Sequence, residues 1–304
     1  MTHKIILDTD PGIDDAAAIT IAMNHPEIDL KLLTTVVGNV DVDKTTLNAL
    51  KLATYYDNDT PIAKGARKPL IREHEDASYV HGVSGMDGFD FPEPNRTVVK
   101  GHAVEVIRET LLASDEPITL VPVGALTNIA LLLNQYPEVK DKIERIVLMG
   151  GGIFAGNTTS HAEFNIYTDP HAAQMVFQSG VPIVMVGLDV THKALLTQDS
   201  LDKLADLGPA GEMLHALFVR YGDTTPNKGT AMHDVCTMFY LLHPDKVKTE
   251  DYHIEVALDG PAMGATIADI RHAYYDNTNA TVCVDIDAEF FNKWFLETIG
   301  SFAK

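Results

Sequence analysis

Seven short apolar runs recur along the chain, and most are almost uninterrupted Val, Ile and Leu. They are "KIILD" (4–8), "LKLLTTVV" (30–37), "PITLVPV" (117–123), "RIVLMG" (145–150), "VPIVMVGL" (181–188), "YHIEVAL" (252–258) and "ATVCVDI" (280–286). A strand with one wet face alternates polar and apolar residues; a continuous run marks a strand covered on both faces. Segments with helical spacing lie between the runs, at 14–24, 43–57, 101–114, 127–135, 170–179, 199–207, 211–221, 233–242 and 287–299. Strand alternating with helix specifies an α/β fold, a mostly parallel central sheet flanked by helices in a Rossmann-like plan. No repeat or linker divides the 304 residues, so a single domain over 1–304 is expected. The stretches 65–99 and 222–232 are weakly periodic and rich in Gly, Pro and charge, and are expected to be loops that cover a site.

Charge narrows the partners. A net charge of -20 excludes the basic footprint that nucleic acid or an anionic membrane surface requires. No apolar run reaches the roughly 18 residues of a membrane span. The N-terminus "MTHKIILDTD" turns acidic at once, unlike a signal peptide, so a cytoplasmic location is expected. Two cysteines, Cys236 and Cys283, make no disulfide framework and are expected as small buried hydrophobes in a reducing compartment.

Open parallel sheets bind ligands beyond the carboxyl ends of their strands. The first run leads into "DTDPGIDD", which sets Asp8, Asp10, Asp14 and Asp15 within eight positions. Pro11 and Gly12 make a tight turn, and Asp14 lies at a helix start. One of Asp14 and Asp15 can simply cap that helix. Capping does not account for both together with Asp10, because like charges this close repel. Successive helical residues point about 100° apart. Asp10 and Asp15 can therefore hold a hard cation while Asp14 faces a ligand. Oxygen-only ligands suit Ca²⁺ or Mg²⁺ rather than zinc. "MHDV" (232–235) offers Asp234 as a further ligand, with His233 beside it; a helix-starting Asp with a packed His is the plainer alternative. In "GNTTSHAEFNIYTDP" (156–170), Glu163 and Asn165 flank Phe164 and share one face if the segment is extended. A carboxylate beside an amide suits a polyhydroxylated ligand; a solvated turn is the alternative.

Taken together, these residues resemble the inosine-uridine preferring nucleoside hydrolase family. "DTDPGIDDA" (8–16) is similar to its N-terminal signature, and "VVGNV" (36–40), "VHGVSGMDG" (80–88), "VPVGALTNIA" (121–130), "VLMGGG" (147–152), "AEFNIYTDP" (162–170) and "MHDV" follow in order. The resemblance runs from about residue 4 to residue 290. It implies hydrolysis of the N-glycosidic bond of ribonucleosides with a tightly bound Ca²⁺, and a homo-oligomer, dimer or tetramer. By position, Asp10, Asp15 and Asp234 would ligate Ca²⁺ by carboxylate and Val123 by its backbone carbonyl. Asp10 would also be the general base for the attacking water. Asp14, Asn39, Asn157, Glu163 and Asn165 would hold the ribose hydroxyls, and Met149 would line that pocket. His233 would assist the departing base, with His81 and Tyr221 nearby. The family's purine-specific branch stacks the base between tryptophans. The lone Trp294, on a C-terminal helix, is expected to pack, which leans the reading toward both purine and pyrimidine ribonucleosides.

Two other classes fit part of the sequence. Asp8-Thr9-Asp10 after an apolar strand superficially offers the paired aspartates of a haloacid-dehalogenase-type phosphohydrolase, but leaves Pro11-Gly12 and Asp14-Asp15 unexplained. A calcium-dependent nucleoside or sugar sensor without catalysis is the other.

Overall fold

The computed structural model describes residues 2–222, 224–225 and 229–302. Its central sheet has eight strands in the spatial order Val247–Tyr252, Ala280–Ile286, Ile183–Val186, Ile143–Met149, Ile118–Pro122, His3–Thr9, Ile28–Thr35 and Ile62–Lys64. All neighbours are parallel except the edge strand Val247–Tyr252, which runs antiparallel to Ala280–Ile286. The expected α/β architecture is present.

The continuous apolar runs have a simple cause. Ile5, Leu7, Leu33, Val121, Val147, Met149, Val184 and Val186 point into one core. Their chain neighbours Ile6, Leu32, Leu120, Ile146, Leu148, Ile183 and Met185 point into a second core on the opposite face. Side chains alternate across a strand, so both alternating sets must be apolar when helices cover both faces. Helices Ile13–Asn24, Gly208–Phe218, Val235–Leu242 and Ala288–Ser301 pack on the first face, and Ala103–Ala113, Thr127–Gln135 and Pro170–Phe177 on the second. Trp294 is buried against Phe239 and Phe291, as packing requires. Cys236 and Cys283 are buried and unbridged.

Several boundaries differ from the sequence expectation. The run 252–258 is not one sheet strand. The sheet strand is Val247–Tyr252, and after His253 the chain enters Ile254–Val256, which pairs antiparallel with Thr266–Ala268. The edge strand was hidden because "VKTEDY" lies half exposed and carries three charges. Segment 162–168 is extended only to Glu163, which caps a short helix, Phe164–Thr168, that carries Asn165. The loop 65–99 contains the short helix Ser78–His81. Of the expected loop 222–232, Gly229–Ala231 is a strand, and residues 223 and 226–228 lie outside the described residues.

The connections reverse direction between His3–Thr9 and Ile118–Pro122. Strands added on one side follow the first strand in sequence, and those on the other follow the fourth. Such a switch point opens a crevice at the carboxyl ends of the two central strands. Asp10 follows one of them and Val123 the other.

Candidate active site

The backbone folds closely around Asp10. A Cβ on Gly38 would lie 2.0 Å from Asp10 Oδ2, and one on Gly124 would lie 2.4 Å from Oδ1. Only glycine permits this approach from both sides. Asn39 N donates to Asp10 Oδ2 at 2.7 Å. Asp10 Oδ1 is buried with no hydrogen-bond partner among the described residues. An orphan carboxylate oxygen is costly unless something positive or protic meets it.

Asp15 does cap its helix, accepting from Gly12 N at 2.9 Å, but that is one of several tasks. It also accepts from Thr9 Oγ1 at 2.5 Å and from Asn39 Nδ2 at 3.0 Å. Ligand oxygens of Asp14, Asp15 and Asp234 lie within 4.8 Å of one another, all three residues being buried. Asp14 thus joins the group that the sequence reading built from Asp10, Asp15 and Asp234, while Asp10 sits beside it. Burial pushes the Asp10 and Asp234 carboxyls well up, and the facing carboxylates push in the same direction. Burial raises Asp15 as well, against the hydrogen bonds from Thr9 and Gly12. A pocket of buried oxygens that repel one another fits a hard cation, which would relieve that repulsion.

Asp8, the fourth aspartate of the cluster, is a strand residue and faces the sheet interior. Its Oδ1 accepts from Thr34 Oγ1 at 2.5 Å and Asn128 Nδ2 at 2.8 Å, while Oδ2 is buried without a partner among the described residues. Burial raises its carboxyl to about 6. A folded-state value above the unfolded one means the native chain holds the extra proton. Stability from Asp8 is therefore present at low pH and lost as pH rises from about 4 to about 6, by about 3 kcal/mol. Asp8→Asn should abolish this part. The unfolding free energy of wild type minus that of the variant should fall across this window, and a difference constant with pH would contradict it.

The remaining expected residues converge on one cavity of about 230 Å³, lined by Asp14, Asp15, Asn39, His81, Val123, Met149, Asn157, Glu163, Asn165, Tyr221, His233 and Asp234. Glu163 accepts from Gly151 N at 2.9 Å, Asn165 N at 3.0 Å and Ile166 N at 3.1 Å. Burial raises its carboxyl, and these backbone donors oppose the rise. Asn165 Nδ2 donates to the Val123 carbonyl at 2.7 Å. Asn157 Oδ1 accepts from Phe164 N at 3.0 Å. Asn39 Nδ2 donates to the Asp10 carbonyl at 3.1 Å. These backbone partners fix each amide's orientation, so Asn39 and Asn165 keep Oδ1 for a ligand and Asn157 keeps its NH₂.

Two histidines line the same cavity. His81 Nδ1 accepts from Ile13 N, the first helical N–H, at 3.0 Å. A backbone N–H can only donate, so His81 carries its proton on Nε2. Tyr221 packs 5.3 Å from that ring, centroid to centroid. His233 Nδ1 lies 2.8 Å from Thr191 Oγ1. The segment carrying His81 is fastened to the site rather than loosely draped. Leu70 N donates to Asp169 at 2.8 Å, His74 Nε2 to Gly38 O at 2.6 Å, and Ala77 N to Asn39 O at 2.9 Å.

Sequence reasoning missed Tyr79, Thr158 and Phe164, which also line the cavity. Tyr79 is highly exposed and lies in the short helix Ser78–His81, whose four residues leave no periodic signal in the sequence. Phe164 had a signal in its place between Glu163 and Asn165. Thr9 lay in plain sight within the aspartate cluster as a hydroxyl donor to Asp15.

Residues 5–293 match the family described as inosine-uridine preferring nucleoside hydrolase. The non-specific ribonucleoside hydrolase RihC of Klebsiella pneumoniae is 50% identical over 301 residues, covering 99% of each chain. That of Salmonella agona is 49% identical over 297 residues, 97% of each. Among solved structures, a purine-preferring ribonucleoside hydrolase from Gardnerella vaginalis superposes with a TM-score of 0.92 at 32% identity, covering 99% of both chains. A plant nucleoside hydrolase gives 0.93 at 30%, covering 99% of this chain and 100% of that one.

Proposed function

The chain belongs to the inosine-uridine preferring nucleoside hydrolase family, and from that premise we propose that its cavity cleaves the N-glycosidic bond of purine and pyrimidine ribonucleosides, releasing ribose and free base. The observation that carries this reading is the convergence of buried carboxylates, three oriented amides and two histidines on one cavity. The name non-specific borne by relatives near 50% identity supports breadth. So does the burial of Trp294 in helix packing.

Asp15 and Asp234, with Asp10 and the Val123 carbonyl beside them, are assigned to a hard cation because every donor is oxygen, and to Ca²⁺ on the family resemblance. Bound there, the ion would lower the pKa of a water and hold it near the sugar. Asp10 is the base placed to take the proton from the attacking water. Asp14, Glu163 and the Oδ1 atoms of Asn39 and Asn165 accept from ribose hydroxyls, and the Asn157 amide donates to one. Met149 closes the apolar side. Cleavage builds positive charge on the ribose ring, and the surrounding carboxylate and amide oxygens favour that charge. At the base, His233 supplies a proton or hydrogen bond, and His81 Nε2–H donates from a fixed neutral ring beside Tyr221. We further propose a single-domain cytoplasmic homo-oligomer, dimer or tetramer, serving nucleoside salvage.

A reducing-sugar assay on inosine, uridine, cytidine and adenosine tests the substrate reading. Ribose from several of the four is expected. Phosphate release from phosphomonoesters instead would favour the phosphohydrolase class, and binding without turnover the sensor. His233→Ala should cut the inosine rate by about 10²-fold or more, as loss of a general acid does; an unchanged rate would remove His233 from that role.

A further inference from the structure

Thr191 is fully buried at the end of the short helix Leu188–Thr191, and its Oγ1 meets His233 Nδ1 at 2.8 Å. That helix is itself fastened to the glycine-rich strand end. Leu188 N donates to Gly151 O at 2.8 Å, and Asp189 accepts from Ile153 N at 2.9 Å and Phe154 N at 3.3 Å. A β-branched side chain has few rotamers to lose. The hydroxyl is therefore a fixed point, whereas a histidine ring turns about a broad, two-fold χ2. His192 stands edge-on to the ring with centroids 5.8 Å apart. Such a contact packs the ring but does not distinguish its nitrogens from its carbons.

We infer that Thr191 is a positioning residue for the leaving-group step: it holds His233 by Nδ1, so that Nε2 is the nitrogen presented to the departing base. The inference rests on the reading of His233 as the group that assists that base. A ring turned over would offer carbon where the base needs nitrogen. A hydroxyl both donates and accepts, so the anchor holds in either tautomer. Among the described residues, Thr191 does not line the cavity, so its effect reaches the reaction through the imidazole.

Two substrates separate this role from a merely structural one. Inosine needs help for its leaving base, whereas para-nitrophenyl riboside releases a phenolate that leaves without a proton. Thr191→Val removes the hydroxyl and keeps the shape. It should lower kcat on inosine about 10–10²-fold, the scale of a misplaced catalytic group, with KM and the nitrophenyl riboside rate little changed. Thr191→Ser should restore most of the inosine rate. In a His233→Ala background, Thr191→Val should add nothing further. Should Thr191→Val not fold, Thr191→Cys carries the same test, because a thiol is a weak donor and acceptor. Equal losses on both substrates, or additive losses on the His233→Ala background, would overturn the inference. His233→Ala alone keeps the two readings apart. If it leaves the ratio of the two rates unchanged, the role of His233 fails and takes this inference with it. If it moves the ratio and Thr191→Val does not, only Thr191 falls.

Discussion

Asp10→Asn should lower kcat on inosine by about 10²–10⁴-fold while the protein stays folded. Asparagine has nearly the same shape, and its carbonyl oxygen can still accept from Asn39 N where Asp10 Oδ2 does now at 2.7 Å. It cannot take a proton from water. The glycines on either side leave no room for a larger side chain, but they make no demand for charge. Burial and the charges of Asp15 and Asp14 already oppose ionisation of Asp10. Without the ion, neutralising it should therefore not cost stability, and the melting temperature of the metal-free protein should hold or rise. Steady-state kinetics with a thermal unfolding scan read both quantities. Near-normal turnover would remove Asp10 from its role as base. Collapse of the fold would mean that the charge organises the switch point rather than the chemistry.

Chelation should remove activity and stability together. Asp10, Asp15 and Asp234 are buried near one another with raised pKa values, so protons and a cation compete for the same oxygens. With Ca²⁺ at 100 times its dissociation constant, the ion would add about 2.7 kcal/mol to the folded state. For a chain of this size that is several degrees in melting temperature. Affinity should fall as pH falls through the raised carboxyl values, and binding should release protons. Calorimetry in two buffers of different ionisation heat measures that release. Re-addition of Ca²⁺ should restore both activity and melting temperature. A metal-free protein that turns over inosine at the full rate would contradict the assignment.

The fold was legible wherever two cores demanded it. Ile5 to Leu7 and Ile146 to Met149 must be apolar at every position, because both faces of those strands are covered. The edge strand Val247–Tyr252 was not legible, since one ladder partner and half-exposed side chains tolerate Lys, Glu and Asp. The helix Phe164–Thr168 was missed for a local reason. Its five residues are too few for periodicity, and only the Glu163 cap, which accepts from Asn165 N and Ile166 N, announces it.

The candidate site was legible as a place before it was legible as a mechanism. Polar and glycine-rich residues at the ends of several apolar runs pointed to the carboxyl edge of the sheet, and the strand order then placed the switch point between Asp10 and Val123. Which oxygen takes a proton, and which holds a hydroxyl, came from the family resemblance and not from spacing. The supporting partners were invisible. Thr9 and Thr191 are buried threonines among many, and only the fold brings Thr191 to His233 across 42 positions. The orientation of the Asn39, Asn157 and Asn165 amides likewise depends on backbone groups that no pattern reveals.

The most direct measurement is product analysis of inosine in phosphate-free buffer, with wild type and Asp10→Asn side by side. The account predicts free hypoxanthine and ribose in equal amounts from the wild type, in the presence of Ca²⁺, and almost none from the variant. A folded, Ca²⁺-loaded wild type that binds inosine and releases neither product would contradict it.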